Sequence, residues 1–357
     1  SQNDFLTYVH DGLTVDITDY LVNDELLGQE DYFIQPQETE RSADANGRWH
    51  GIGSTWTIMH MYFNAALFEE AGVEPPDFAE DKIWDWDQFL EAARQLTIDA
   101  NGRHPGDEGF DVENVEQWGV HWPGDWWLPL DAMVTVNGGT YTRDGLLTLD
   151  EPVALEGIQN VADLMFVHQV MPQASLFQAL GMSNTQMLET GRLAMAVEGS
   201  WALSWMYKIE APLAIGPLPK MSTIAASAQG HLHSIITGTE HPDEAWQWLR
   251  FLATPFYQTQ FIRIGLWLPS QTALMTEEGI ETWYNEEVHP ANFRQMVTDY
   301  VPAYMRPIVL VAGWPKASAF IWPAVEAVMN GNARADEVLP EAVAQGNAVI
   351  EEEYLNA

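Results

Sequence analysis

"MLETGRLAMAVEGSWAL" (residues 187–203) joins the end of a short helix to an apolar run and a tight turn. Gly191 stands where a left-handed residue commonly closes a helix, and the apolar run after it predicts a strand over 192–198. Gly199 and Ser200 allow the backbone to turn sharply. Trp201 follows at once, so the sequence predicts an indole that faces a cleft at the end of a strand, with a core position as the alternative.

The rest of the chain alternates short apolar runs with amphipathic helices, which is typical of α/β proteins. Asp85 and Gln88 form a capping-box pattern at the start of one helix, and Pro242 suits the first turn of another. The residues predicted to form the apolar stripe of that second helix are Ala245, Trp248, Leu249 and Leu252. A long helix is predicted from residue 151, and an acidic helix at the C terminus. Further strands are predicted at 118–121, 212–216 and 231–237.

Charge and composition exclude several classes of partner. The chain of 357 residues carries 52 acidic and 15 basic residues, a formal net charge of −37. Such a surface repels nucleic acid and anionic membranes. The absence of cysteine excludes disulfides and cysteine-ligated zinc. No apolar run is long enough to predict a membrane-spanning helix.

Tryptophan is abundant, with 16 residues in the chain. Most are expected in the core, because large aromatic side chains dominate apolar burial, and a minority could line a ligand cleft. The tryptophans that lie on helix stripes and are predicted to be core residues are Trp84, Trp86, Trp246 and Trp248.

The order of the motifs is more informative than any one of them. The chain contains, in sequence, RWHGIGSTWTIMHMYFNAALFEEAGVEPP, DWDQFLEAARQLT, VNGGTY, MLETGRLAMAVEGSW, IGPLPK, EHPDEAWQWLRFL and IGLWLPSQ, followed by a helical tail. Together these motifs resemble the extracellular solute-binding proteins of ABC importers. Within that family the resemblance is to the sugar- and oligosaccharide-binding group that includes maltose-binding protein, and it extends over nearly the whole chain.

The resemblance implies an α/β protein with the two-lobed type II periplasmic-binding-protein fold. In this fold a hinge joins the lobes, and the ligand binds in the cleft between them. The chain would cross between lobes at GIGSTWTIMHMYFN, at HLHSIITG and around AGWPKASAF. These crossings predict lobe I over 1–58, lobe II over 59–232, lobe I again over 233–313, and the C-terminal helices of lobe II over 314–357.

Family members usually begin with a βαβ unit that this sequence does not contain ahead of FLTYVHDGLTVDITDYL. Either the chain is incomplete at its N terminus or the first lobe is reduced. A lobe without those strands would expose unpaired sheet edges, which favours an incomplete chain. A signal peptide or a lipid-anchoring cysteine would lie in the missing part.

The resemblance also indicates which residues would line the cleft. The predicted ligand-binding residues are Trp201, Trp56, Trp267, His231, Trp127, Asp125, Asn137, Gly138, Trp314, Trp322 and Ser54. Each has a structural alternative: core packing for the tryptophans, a helix cap for Asp125 and a tight turn for Gly138. Because adjacent residues of a regular element point in different directions, at most one of Trp126 and Trp127 is expected to meet the ligand.

No cofactor or metal is expected. His231 and His233 would lie on one face of a strand, which is compatible with zinc, but no third ligand with suitable spacing accompanies them. A hydrogen bond from His231 to a sugar is therefore the favoured interpretation. The polar loop 101–114 is rich in acidic residues, but their spacing does not fit a calcium-binding loop.

These features predict a binding protein that closes on a neutral mono- or oligosaccharide and delivers it to the transmembrane subunits of an ABC permease. We expect a monomer outside the cytoplasm, in the periplasm or lipid-anchored, and not an enzyme. The alternative is the same fold with a polyol or glycerol phosphate. A phosphate would require converging arginines, for which Arg143, Arg263 and Arg306 are available. A secreted glycosidase is a third possibility, but the many carboxylates single out no catalytic pair.

Overall fold

The computed structural model describes residues 4–356, apart from the side chain of Gln178. Its strands are β1 (Ile52–Gly53), β2 (Thr57–Asn64), β3 (Ile98–Asp99), β4 (Val115–His121), β5 (Thr142–Arg143), β6 (Leu146–Leu147), β7 (Leu193–Gly199), β8 (Leu213–Gly216), β9 (Ala226–Gln229), β10 (Leu232–His233) and β11 (Met305–Pro307). Seven of them form one mixed sheet in the order β11-β9-β2-β7-β4-β3, with β8 also paired to β2.

Helices surround this sheet. They are α1 (Phe5–His10), α2 (Thr18–Val22), α3 (Gln37–Ser42), α4 (Ala65–Ala71), α5 (Trp86–Gln95), α6 (Trp127–Thr135), α7 (Pro152–Phe166), α8 (Ala174–Leu180), α9 (Asn184–Glu189), α10 (Leu203–Met206), α11 (Pro242–Leu252), α12 (Pro255–Ile262), α13 (Glu277–Ile280), α14 (Phe293–Gln295), α15 (Val301–Tyr304), α16 (Trp314–Met329) and α17 (Ala335–Ile350). Single 3₁₀ turns lie at Glu80–Lys82, Val112–Asn114, Ser200–Ala202 and Thr272–Met275, and π-helical turns at Met296–Tyr300 and Glu351–Leu355. Within residues 4–356, no helix combines the length and apolarity that a bilayer crossing requires.

The central strand β2 is covered on both faces, and all of its residues are buried. Met59 and Met61 enter a core that α5, α6, α7, α16 and α17 complete. Ile58 and Tyr62 enter a second core on the opposite face, shared with residues 262–305. This division follows from the alternation of side chains along a strand.

A third, smaller core joins the first part of the chain to residues 235–253. The short antiparallel pair β1–β10, in which Ile52 opposes His233, borders this core, and a bridge from Phe33 to Gln271 also links it to the rest. The strand predicted over 231–237 is therefore wrong in extent, because β1 offers only two residues for pairing. Beyond β10 a single bridge links Thr14 to Ile236.

Several local predictions are confirmed. Asp85 and Gln88 form the reciprocal hydrogen bonds of a capping box at α5. Gly191 is left-handed just past the end of α9. Pro242 begins α11, as predicted.

The prediction that Trp248 is a core residue of this helix is wrong. Trp248 is 59% exposed, whereas Trp246 is buried. Tyr20 stacks on Trp246 at 5.4 Å, on the face of the helix that packs into the third core.

The first predicted crossing pairs with the strand that precedes the second one. Thr57, at the start of β2, pairs with Gln229 at the end of β9. On the other side of β9 runs β11, with Met305 opposite Ala226. The segment predicted as the third crossing, residues 312–320, leads into α16, whose Trp314 is buried in the first core. The exact lobe boundaries stay a prediction.

Candidate ligand-binding cleft

A cavity of about 510 Å³ opens where β2 begins and where β7 and β9 end. We call it the indole cavity, because four tryptophans line it. Its lining residues are Thr57, Trp126, Trp127, Trp201, Gln229, Gly230, His231, Leu232, Leu266 and Trp267. The position agrees with the rule that α/β sheets bind ligands beyond the carboxyl ends of their strands.

Trp201 reaches this cavity by the turn that the sequence suggested. β7 ends at Gly199, and the 3₁₀ turn Ser200–Ala202 redirects the chain. The indole folds back over Gly199 so closely that a Cβ there would lie 1.9 Å from the ring. Glycine is therefore required at 199 because the tryptophan occupies the space of its side chain.

Trp126 and Trp127 both line the indole cavity, although at most one of the two rings was expected to meet the ligand. The reason is the helix boundary: Trp126 is the extended N-cap residue and Trp127 is the first residue of α6. Their rings meet edge-on at 5.3 Å, and Trp126 also lies 5.6 Å from Trp201. Alternation within a regular element does not apply across such a boundary.

His231 and Trp267 form another part of the wall, and their rings are 4.4 Å apart. The Nδ1 atom of His231 is 3.0 Å from the Thr55 hydroxyl. Burial, with a smaller contribution from the positive charge of Arg41, lowers the pKa of His231. The imidazole is thus neutral at neutral pH and can exchange one hydrogen bond with a ligand.

The cavity offers donors and acceptors without charge. Within residues 4–356, none of the four indole N–H groups donates a hydrogen bond, and the Gln229 side-chain amide has no partner. No Asp, Glu, Lys or Arg side chain lines this cavity in the same part of the chain. Apolar ring faces combined with unpaired polar groups are the chemistry of a site for a neutral polar molecule.

Asp125 and Trp322 line a different pocket of about 360 Å³. We call it the methionine pocket, because Met165, Met171 and Met329 form part of its wall. The segment 124–127 contributes to both pockets: Gly124 and Asp125 line the methionine pocket, and Trp126 and Trp127 line the indole cavity. The predicted ligand residues are therefore divided between two neighbouring pockets.

Five of the predicted ligand residues do not line either pocket. Trp56 is fully buried in the second core and Trp314 is buried in the first. The Asn137 amide donates to the carbonyl of Val153 and to Glu156, which ties α6 to α7. Ser54 hydrogen-bonds His233. Gly138 is a left-handed turn residue that lines another cavity.

Sequence reasoning missed a buried ion pair behind the cleft. Arg41 and Glu38 are one helical turn apart on α3, and both side chains are completely buried. Arg41 donates to the carbonyl of Thr55 at 2.8 Å and stacks on Trp56 at 3.6 Å. Glu38 accepts the backbone N–H of Gly53 at 2.7 Å. The pair thus anchors the segment before β2, next to the residue that orients His231.

His231 and His233 are not arranged as a metal site. Each ring hydrogen-bonds a hydroxyl, that of Thr55 or Ser54. In the part of the chain that the structure describes, no group of three or more His, Asp or Glu residues is placed to hold a metal ion.

Residues 2–259 match the family model of the bacterial extracellular solute-binding proteins. The chain belongs to this family. A putative binding protein of Brucella abortus is 23% identical over 351 residues, covering 97% of this solute-binding protein and 77% of the relative. The arabinooligosaccharide-binding protein of Halalkalibacterium halodurans is 24% identical over 238 residues, covering 64% and 48% of the two chains.

The fold of this solute-binding protein is shared with solved structures. An ABC substrate-binding protein of Listeria monocytogenes in complex with cycloalternan matches it with a TM-score of 0.77 at 18% identity, covering 98% of this chain and 82% of that one. The expected two-lobed α/β class is therefore confirmed. The family consists of binding proteins, so the expectation of a binding protein, not an enzyme, is also confirmed.

Gly199→Ala is expected to weaken ligand binding by displacing the Trp201 ring. The backbone of Gly199 is extended (φ −79°), so alanine fits the chain itself and only the indole must move. We expect a loss of about tenfold in affinity, measured by isothermal titration with a trisaccharide that the protein binds. In a Trp201→Ala background the same substitution should have no further effect, and an equal loss there would contradict the explanation.

The stability of the protein is expected to fall as the pH falls from about 6.5 to 4. Burial lowers the pKa of four histidines to about 4: His60, His121, His233 and His289. Over this range the unfolded chain binds more protons than the folded chain, so acidification favours unfolding. Burial raises the pKa of two acids, Asp131 and Glu198, which act in the opposite sense but are fewer.

Thermal unfolding at pH 7 and pH 5 checks this expectation. About 1 M NaCl should be present, so that repulsion within the acidic surface is screened at both pH values. The unfolding temperature should be lower at pH 5, and replacing the exposed His241 by glutamine should leave the difference unchanged. An equal or higher unfolding temperature at pH 5 would show that the four histidines do not control this range.

Proposed function

We propose that this protein captures a neutral oligosaccharide in the indole cavity and delivers it to an ABC permease. The observation that carries the proposal is a cavity walled by four indoles whose N–H groups find no partner in residues 4–356, without a charged side chain among the described residues that line it. The residues proposed to bind the sugar there are Trp126, Trp127, Trp201, Trp267, His231 and Gln229. Asp125 and Trp322 would extend the site into the methionine pocket.

The proposed ligand class follows from the chemistry of the wall. Indole faces supply flat apolar area for the C–H surfaces of a sugar ring. The hydroxyls of that ring lose water on entry and need partners, which the indole N–H groups, Gln229 and the neutral His231 can provide. The named ligands of two relatives, arabinooligosaccharide and cycloalternan, are carbohydrates and support the same class.

An anionic ligand is less well supported. Arg143 is exposed and forms an ion pair with Glu151. Arg263 is also exposed, and Arg306 lines a separate cavity. Since no arginine faces the indole cavity in the described chain, a glycerol phosphate would find no bidentate partner there.

Capture would operate by closure of the two lobes around the ligand. A ligand shifts a protein between open and closed forms only by its better contacts with one of them. Under the predicted lobe boundaries Trp126 and Trp201 belong to lobe II and Trp267 to lobe I, so a sugar in contact with all three would join the two lobes. The protein would act as a monomer outside the cytoplasm, with the permease as its partner.

Thermal-shift measurements with a panel of ligands test this function. The panel contains maltotriose, mannotriose, arabinotriose, ribitol and glycerol 3-phosphate. At a hundred times its dissociation constant, a true ligand adds about 2.7 kcal/mol to the free energy of unfolding. We expect a shift with at least one trisaccharide and none with glycerol 3-phosphate. A shift with the phosphate alone, or with no sugar, would refute the proposal.

A further inference from the structure

A third cavity, of about 350 Å³, shares no lining residue with the indole cavity. It lies between α6, the loop 138–142 and the edge strand β11, with Glu40 of α3 at its rim. We call it the Asp131 cavity, after the acid on α6 that lines it. The sugar-binding proposal makes no use of this cavity.

Asp131 is only 4% exposed and has no basic partner among the described residues. Its carboxyl accepts a short hydrogen bond from the hydroxyl of Ser227 on β9. Burial raises the pKa of this carboxyl to about 7, so it ionises near neutral pH. A buried carboxylate without a positive partner is unfavourable, because water no longer solvates the charge.

Tyr141 lines the same cavity and is 2% exposed. Its ring packs edge-on against Trp314 at 5.3 Å, while its hydroxyl is buried without a hydrogen-bonding partner in residues 4–356. The charge on Asp131 adds to burial in raising the pKa of this hydroxyl, so the two groups interact. Buried polar groups in folded proteins are nearly always paired, so a molecule bound in the cavity could supply the hydrogen bond that this hydroxyl lacks.

The rim of the cavity carries the other polar groups. Arg306 donates through Nη1 to the carbonyl of Met305 at 2.9 Å, and within the described chain it forms no ion pair with Glu40. Thr135, a buried residue of α6, adds a hydroxyl near Asp131. The titratable and charged groups that face Asp131 across this cavity are thus Tyr141, Arg306 and Glu40.

We propose that the Asp131 cavity binds a small primary ammonium compound. Its ammonium group pairs with the Asp131 carboxylate and donates to the Tyr141 hydroxyl. A neutral polyol would satisfy the hydroxyl but would not compensate the buried negative charge. A metal ion is a poorer match, because the described residues provide no group of three suitable ligands.

Isothermal titration with ethanolammonium chloride at pH 8 tests the proposal. Ethylene glycol serves as the neutral analogue of similar size, and NaCl at equal ionic strength as the simple salt. We expect ethanolammonium to bind at least about tenfold more tightly than either, and to bind more weakly at pH 6, where Asp131 is protonated. Equal heats with all three compounds would overturn the proposal.

Variants distinguish a built site from a general effect of charge. Asp131→Asn keeps the shape and an acceptor for Ser227, and should reduce ethanolammonium affinity about tenfold. Tyr141→Phe removes only the unpaired hydroxyl, so it should weaken binding without lowering the unfolding temperature. Asp150→Asn, an exposed change of the same charge, is the matched control. Unchanged affinity in Asp131→Asn, or an equal loss in Asp150→Asn, would refute the assignment.

Discussion

Trp201→Ala is expected to weaken oligosaccharide binding by at least about tenfold, with only a few degrees of change in the unfolding temperature. Trp201 lies at the centre of the wall, 5.6 Å from Trp126 and folded over Gly199. Its removal takes away a ring face and an N–H donor together. Both losses weaken the complex with the sugar. The free protein loses no hydrogen bond, because the N–H has no partner among the described residues.

The stability cost should remain moderate because Trp201 is only partly buried. Full truncation of a buried tryptophan costs about 3–5 kcal/mol, and a half-buried one correspondingly less. Trp205→Ala is the matched control, since Trp205 is 43% exposed only four residues further along and lines neither pocket. Isothermal titration measures the affinity of both variants, and thermal unfolding measures their stability; only Trp201→Ala should lose affinity. A variant that loses stability but keeps its affinity would place Trp201 in the core instead.

Glu38→Gln is expected to destabilise the protein by about 3–5 kcal/mol. The substitution leaves the Arg41 guanidinium buried, with no charge to balance it. It also weakens the acceptor for the N–H of Gly53, the residue before Ser54. Because Arg41 holds the Thr55 carbonyl, we further expect the His231 wall of the cavity to lose order.

Chemical unfolding measures this cost, and a double variant separates charge from packing. Replacing both residues by apolar ones, as in Glu38→Leu with Arg41→Met, removes the unbalanced charge and should recover much of the stability. The exposed pair Arg143–Glu151 provides the control, since Glu151→Gln should cost less than about 1 kcal/mol. If Glu38→Gln costs no more than Glu151→Gln, the buried pair does not stabilise the fold.

Local signals in the sequence predicted the fold well. The capping box at Asp85, the glycine that closes α9 and the strand that ends at Gly199 all depend on neighbours within a few residues. Trp201 was predicted to face a cleft partly for the same reason, since it follows a strand and a small-residue turn, and partly from its position in the motif order of the family that the chain resembles. The order of motifs then led to the family that residues 2–259 match.

The failures depend on contacts between distant parts of the chain. Trp56 is preceded by the same kind of small polar run as Trp201, but Arg41 stacks on it and closes it into the core. Trp246 and Trp248 are two residues apart on one helix, and packing against the first part of the chain, including Tyr20, decides which is covered. Neither of these contacts, Arg41 on Trp56 or Tyr20 on Trp246, can be predicted from residue spacing or hydrophobic periodicity. Asn137, which was predicted to bind the ligand, hydrogen-bonds the carbonyl of Val153 on α7, a contact that local sequence does not indicate.

The most direct test of the central claim is a crystal structure of this protein with the trisaccharide that gives the largest thermal shift. We expect sugar rings in the indole cavity, in contact with Trp126, Trp127, Trp201 and Trp267, with hydroxyls within hydrogen-bonding distance of Gln229 and His231. A trisaccharide bound elsewhere on the molecule, with those four indoles untouched, would contradict this claim.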